Sequence, residues 1–116
     1  MKMTVKILKT SEGLTKVQEY NLRTAQTEKI REAEGADLRI GGWMLTENTD
    51  DKGETFRALI IQEAGDDGLI YSTSSDAFID QFLNALDDLG AVNTFRVEVR
   101  KAKKTGREYL SFKLVA

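Results

Sequence analysis

Residues 75–90 read SDAFIDQFLNALDDLG. Phe78, Ile79, Phe82, Leu83, Leu86 and Leu89 fall at i, i+1, i+4, i+5, i+8 and i+11, a broad apolar face at helical spacing. Ser74 or Ser75 can cap the start, Asp76 suits the positive end of the helix dipole, and Gly90 ends the element. The stretch predicts one amphipathic helix over 76–90. What flanks it decides the fold.

On both sides the apolar period drops to two. ADLRIGGWMLTE (36–47) alternates, with Leu38, Ile40 and Met44 on one face and Arg39, Trp43 and Leu45 on the other. Gly41 and Gly42 within it imply a bend, a bulge or a close backbone approach. NTDDKG is a turn, ETFRALIIQE (54–63) a second strand, AGDDG a turn and LIYSTS (69–74) a third strand. After the helix, NTFRVEVRKA sets Phe95, Val97 and Val99 against Arg96, Glu98 and Arg100. KKTG turns the chain into REYLSFKLV, with Leu110, Phe112 and Leu114 on one face and Arg107, Tyr109, Ser111 and Lys113 on the other.

The order after residue 35 is thus strand, strand, strand, helix, strand, strand. It predicts a mainly β chain with α, built as a five-stranded OB-like barrel whose helix plugs one end. An SH3-like barrel lacks so long a helix there. A ferredoxin-like domain wants a helix after its first strand. Phe78, Phe82, Leu86, Leu110 and Phe112 are expected to be buried together.

The N-terminal third is less patterned. Val5 and Ile7 alternate weakly, as a short strand or a loose arm, and SEG at 11–13 is a break. Leu14 to Glu34 is polar and rich in helix formers, with Leu14, Val17, Leu22, Ile30 and Tyr20 as a sparse stripe. One or two lightly docked surface helices are expected, capped by Thr15 and by Thr24 or Thr27 and ending near Gly35. The chain is then a single domain over 1–116, with an arm and helices over 1–35 and the barrel over 36–116.

Composition narrows the chemistry. The 116 residues contain no Cys and no His. Ordinary zinc, haem and iron–sulfur ligation is therefore out, as are Cys-His and Ser-His-Asp catalysis. No disulfide framework is possible, no run of eighteen apolar residues is present, and no signal peptide is evident, so an intracellular home is expected. The acidic turns lack the ligand spacing of a calcium loop, and the GG at 41 lacks the GK[ST] of a phosphate loop.

Charge is unevenly placed. Residues 96–113 hold Arg96, Arg100, Lys101, Lys103, Lys104, Arg107 and Lys113 against Glu98 and Glu108, a net +5 in a chain of −2. A groove for single-stranded nucleic acid needs cations along phosphates and aromatic faces under bases. Tyr109 would be such a face, set among cations on the side away from the core. The plainer alternative is a solvated hairpin whose lysines blunt a sheet edge. Trp43 is the second aromatic candidate, by parity off the core face. Its alternative is to serve as a docking partner for the N-terminal helices. Arg39 lies beside it, and Arg57 and Tyr71 are weaker candidates.

Four segments together resemble a known family: LTKVQEYNLRTAQ, GGWMLTENTDDKGE, YSTSSDAFIDQFLNAL and KKTGREYLSFKL. They are similar to the small single-stranded DNA-binding proteins of bacteriophages of Gram-positive bacteria, from about residue 12 onward. The resemblance implies an OB-fold protein that coats single strands during replication, without catalysis, metal or cofactor, in the cytoplasm of a bacterial host. It carries over Lys104, Gly106, Arg107 and Tyr109 in the last hairpin and the aromatic at Trp43. Single-stranded DNA is the expected partner, with replication proteins as further partners and no membrane. Two other classes compete: an OB-like protein-interaction module of a replication or packaging complex, and a magnesium-dependent nuclease, for which no inward acidic cluster is visible.

Overall fold

The computed structural model describes residues 4–65 and 68–115. Among these, the strands are β1 Thr4–Thr10, β2 Glu28–Lys29, β3 Asp37–Thr49, β4 Thr55–Glu63, β5 Ile70–Thr73, β6 Thr94–Lys101 and β7 Glu108–Leu114. Helices α1 Lys16–Thr24 and α2 Asp76–Leu89 and a 3-10 turn, Ile30–Ala33, complete the chain. From β3 onward the element order is the expected one. The strand count differs, because the first 35 residues add β1, β2 and α1. Among the described residues, no helix is long and apolar enough to cross a membrane.

The strands hydrogen-bond in the order β2-β5-β4-β3-β6-β7, and β1 joins β3 off that path. Among the described residues, only β2 and β5 run parallel. The result is a curled mixed sheet that forms a half-barrel. β3 is the pivot. Its first residues, Asp37 to Arg39, pair with β6. From Met44 to Thr49 that edge belongs to β1, while β4 follows the other edge from Ile40 to Thr49.

The change of partner coincides with a bulge. The β3–β4 register slips between Ile40 and Gly42. A Cβ on Gly41 would stand 3.1 Å from Ala64 Cα, so glycine there permits the close approach. One inserted residue reverses the side-chain parity. Strict alternation places Trp43 opposite Leu38; the structure puts Leu38, Trp43 and Leu45 in one core and Met44 on the other side of the sheet.

The concave side holds the main core. Phe78, Ile79 and Phe82 of α2 pack there with Leu59, Ile61, Phe95, Val97 and Phe112, and Leu86 and Leu110 pack partly buried against them. Edge-on aromatic pairs tie the helix to the sheet: Phe78–Phe112 at 5.0 Å and Trp43–Phe82 at 5.4 Å between ring centroids. Ser75 Oγ accepts the Phe78 N–H at the start of α2, and Gly90 at φ +80° closes its end. Leu89, counted in the apolar stripe, is exposed in the last turn.

The convex side is covered more thinly. α1 lays Leu22, helped by Leu14, onto Met44, Ile60 and Ile70. Thr15 and Gln18 form a reciprocal capping box at its start. The stretch after it is not a second surface helix. Thr27 hydrogen-bonds Ser72 and Thr24 bonds the Tyr20 carbonyl, so neither caps a helix. β2 extends the sheet beside β5, and Ile30, 0 % exposed, enters the main core with Ala33. An isolated isoleucine in a polar run carries no period, which is why its burial was illegible.

β5 and β7 do not pair among the described residues. β2 takes the free edge of β5. At β7, the Gln81 amide of α2 donates to the Phe112 carbonyl at 2.8 Å. That carbonyl faces outward: its cross-strand partner Val97 directs its own N–H and C=O to Ala36 and Gly35, away from β7.

Candidate nucleic-acid interface

The basic hairpin is built on the β6–β7 ladder, where Arg100 faces Tyr109 and Lys101 faces Glu108. Its loop is closed by Ala102 N–H to Arg107 O and Gly106 N–H to Ala102 O, both at 2.9 Å. Gly106 takes φ +68°, a left-handed conformation that a side chain would strain. This geometry turns Lys103 and Lys104 out at the tip, where both are exposed.

Ion pairing sorts the expected cations into two groups. Arg96 donates to Asp37 from Nε at 2.7 Å and from a terminal nitrogen at 3.3 Å. The Arg96 guanidinium holds the Asp37 carboxyl below its usual range. Arg100 pairs with Glu98 at 2.6 Å, and its pKa is raised first by Glu98 and more weakly by Tyr109. Arg57 reaches Asp76 and Asp80 at 2.9 Å and belongs to the α2 side of the sheet. Arg39, Lys101, Lys103, Lys104, Arg107 and Lys113 are exposed and form no ion pair among the described residues. Glu108, the acid nearest the tip, is bound by Arg31 of the 3-10 turn.

Register places the outward residues in rows. Asp37, Arg96 and Lys113 lie side by side across β3, β6 and β7, and Arg39 is two residues further along β3. Arg100 and Tyr109 form a parallel row four residues along β6, about 13 Å at 3.3 Å per residue. Exposed ion pairs contribute only about 0–1 kcal/mol, so Arg96 and Arg100 can exchange a carboxylate for a phosphate at small cost. Arg57, held by two carboxylates, is the least available.

Tyr109 is 41 % exposed at the mouth of the hairpin. Ser111, expected on the same open face, is buried, and its hydroxyl donates to Gln81 Oε1 at 2.9 Å. Trp43 is 6 % exposed, its ring lying edge-on to Phe82. The bulge turns it into the core, so it presents no open face for stacking; it shares that core with Ile30 and Ala33 of the 3-10 turn, while α1 packs on the other side of the sheet. It reaches the rim of a cleft of about 460 Å³ that Glu12, Gly42, Leu86 and Asn93 also line.

Two further aromatics are exposed. Phe56 is half-open on β4, beside the acidic turn of Asp50, Asp51 and Glu54. Tyr20 is open on α1, and the spacing of Lys16, Tyr20 and Arg23 at i, i+4 and i+7 was the signal that marks them as one face. A comparison with protein-family models finds no match, and neither curated proteins nor solved structures give a significant one.

Proposed function

We propose that the chain binds single-stranded DNA without sequence preference, and that β3 to β7 with α2 form an OB-like barrel open between β5 and β7. The observation that carries this reading is the hairpin. Lys101, Lys103, Lys104 and Arg107 stand unpaired among the described residues on the hairpin that carries half-exposed Tyr109. Unpaired cations give attraction to phosphates that salt screens, and an aromatic ring accepts any base. Arg39, Arg96, Arg100 and Lys113 extend the cationic face along the strands. The acidic remainder of the chain repels duplex and single strand alike, which disfavours contact away from cationic patches. The role that follows is coating displaced single strands in phage-type replication, without catalysis.

The test is a fluorescence-anisotropy titration of labelled oligo(dT), oligo(dA), oligo(U) and duplex DNA at two salt concentrations. Similar affinity for oligo(dT) and oligo(dA), weaker in high salt and weaker for duplex, is the expected result. No binding to any of them would contradict the proposal. A second reading, a protein-interaction module, is favoured by the burial of Trp43 and by the cleft beside it. Co-purification of a partner protein in the absence of a DNA shift would support it.

A further inference from the structure

We propose that α1 carries a second station for the same single strand, in which Tyr20 stacks a base and Lys16 and Arg23 hold the flanking phosphates. This rests on the single-stranded DNA reading above. Tyr20 is 57 % exposed, an unusual position for a large ring in a helix that has few apolar contacts to spare. Its orientation is fixed. Leu22 anchors α1 in the convex-side cluster, and two residues at about 100° each turn Tyr20 to the opposite side of the helix. The capping box at Thr15 holds the first turn that carries Lys16.

The surroundings of the ring suit a base and its phosphates. The Arg23 guanidinium carbon lies 5.6 Å from the Tyr20 ring centroid, a cation–π contact that steadies the ring. Arg23 makes no carboxylate pair among the described residues. Lys16, Tyr20, Arg23, Glu19 and Ile7 of β1 line a groove of about 300 Å³. Two cations against one acid leave it positive. Phe56 does not qualify by the same criterion, because Asp50, Asp51 and Glu54 beside it would repel phosphates.

One exposed ion pair connects the segment after α1 to the hairpin. Arg31, seven residues beyond the end of α1, pairs with Glu108 at the base of the hairpin. The longest dimension of the molecule is 39 Å. OB-type folds engage about 4–16 nucleotides, so a short oligonucleotide is expected to occupy the hairpin alone and a long one to reach Tyr20 as well.

The test compares oligo(dT) of about 5 and about 16 nucleotides by anisotropy, using wild type, Tyr20→Ala and Tyr20→Phe proteins whose melting temperatures are checked first. Tyr20→Ala should weaken the long oligonucleotide about tenfold and leave the short one unchanged. Tyr20→Phe, which keeps the ring, should bind both as wild type does. A folded Tyr20→Ala protein that binds the long oligonucleotide at full affinity would overturn the second station and leave the hairpin standing. Wild-type protein that binds neither length would overturn the single-strand reading and this station with it.

Discussion

Leu38 and Trp43 lie five residues apart on one strand and point into the same core. An odd spacing does this only if the strand gains a residue between them, which is the bulge at Gly41 and Gly42. The backbone of Ala64 lies so close to Gly41 that a methyl group there has to displace it. Gly41→Ala should therefore destabilise the fold by about 1–3 kcal/mol, seen as a lower urea midpoint at unchanged slope. An unchanged midpoint would show that the approach is not tight.

The same register bears on how much was legible. The helix over Asp76–Leu89 and the strand order around it were, because apolar periodicity there is uninterrupted. The bulge was not, because its cause is a contact with Ala64 more than twenty residues away in the chain. Two glycines announced an irregularity without giving its size, and the parity of Trp43 turns on that size. At the hairpin, sequence showed the cations and the open face of Tyr109. It could not show which arginines were already paired, since Asp37 meets Arg96 only when β3 and β6 come together.

Phe82 is fully buried between Trp43 and Phe112. Phe82→Ala should cost about 3–5 kcal/mol, and Trp43 emission should shift to longer wavelength as water reaches the ring. A melting curve little changed from wild type would reject this core. The burial of Trp43 also means that its fluorescence is a reporter of the core and not of the hairpin.

The Asp37–Arg96 pair gives a pH signature. Arg96 lowers the Asp37 pKa from the usual 3.8. A carboxyl depressed in the folded state adds stability above its unfolded pKa and loses it as pH falls through the folded one. Both side chains are largely in water, so the effect is small. The melting-temperature gap between wild type and Asp37→Asn should be present at neutral pH and close in acid below 3.8. A gap independent of pH would remove the pair as its cause. By freeing Arg96, Asp37→Asn should also tighten oligo(dT) binding a few-fold.

Lys103 and Lys104 project from the hairpin tip without ionic partners among the described residues. If they neutralise phosphates, replacing both with Ser should flatten the salt dependence of oligo(dT) binding, by about 0.7 in slope for each phosphate no longer neutralised. Base preference should stay as it is. An unchanged slope would put the phosphate path elsewhere.

Tyr109 is the residue on which the nucleic-acid reading turns, because it joins an exposed ring to the cationic hairpin. Its position in an exposed row with Arg100 predicts that Tyr109→Ala leaves the fold intact. Removing one stacking platform, which contributes about 1–3 kcal/mol, should weaken oligo(dT) and oligo(dA) equally, by about ten- to a hundredfold. The decisive measurement is the anisotropy titration of Tyr109→Ala with both oligonucleotides, beside a melting curve. Equal weakening in a protein that melts like wild type is the expected result. Undiminished affinity in that folded variant would contradict the claim that this hairpin is where single strands bind.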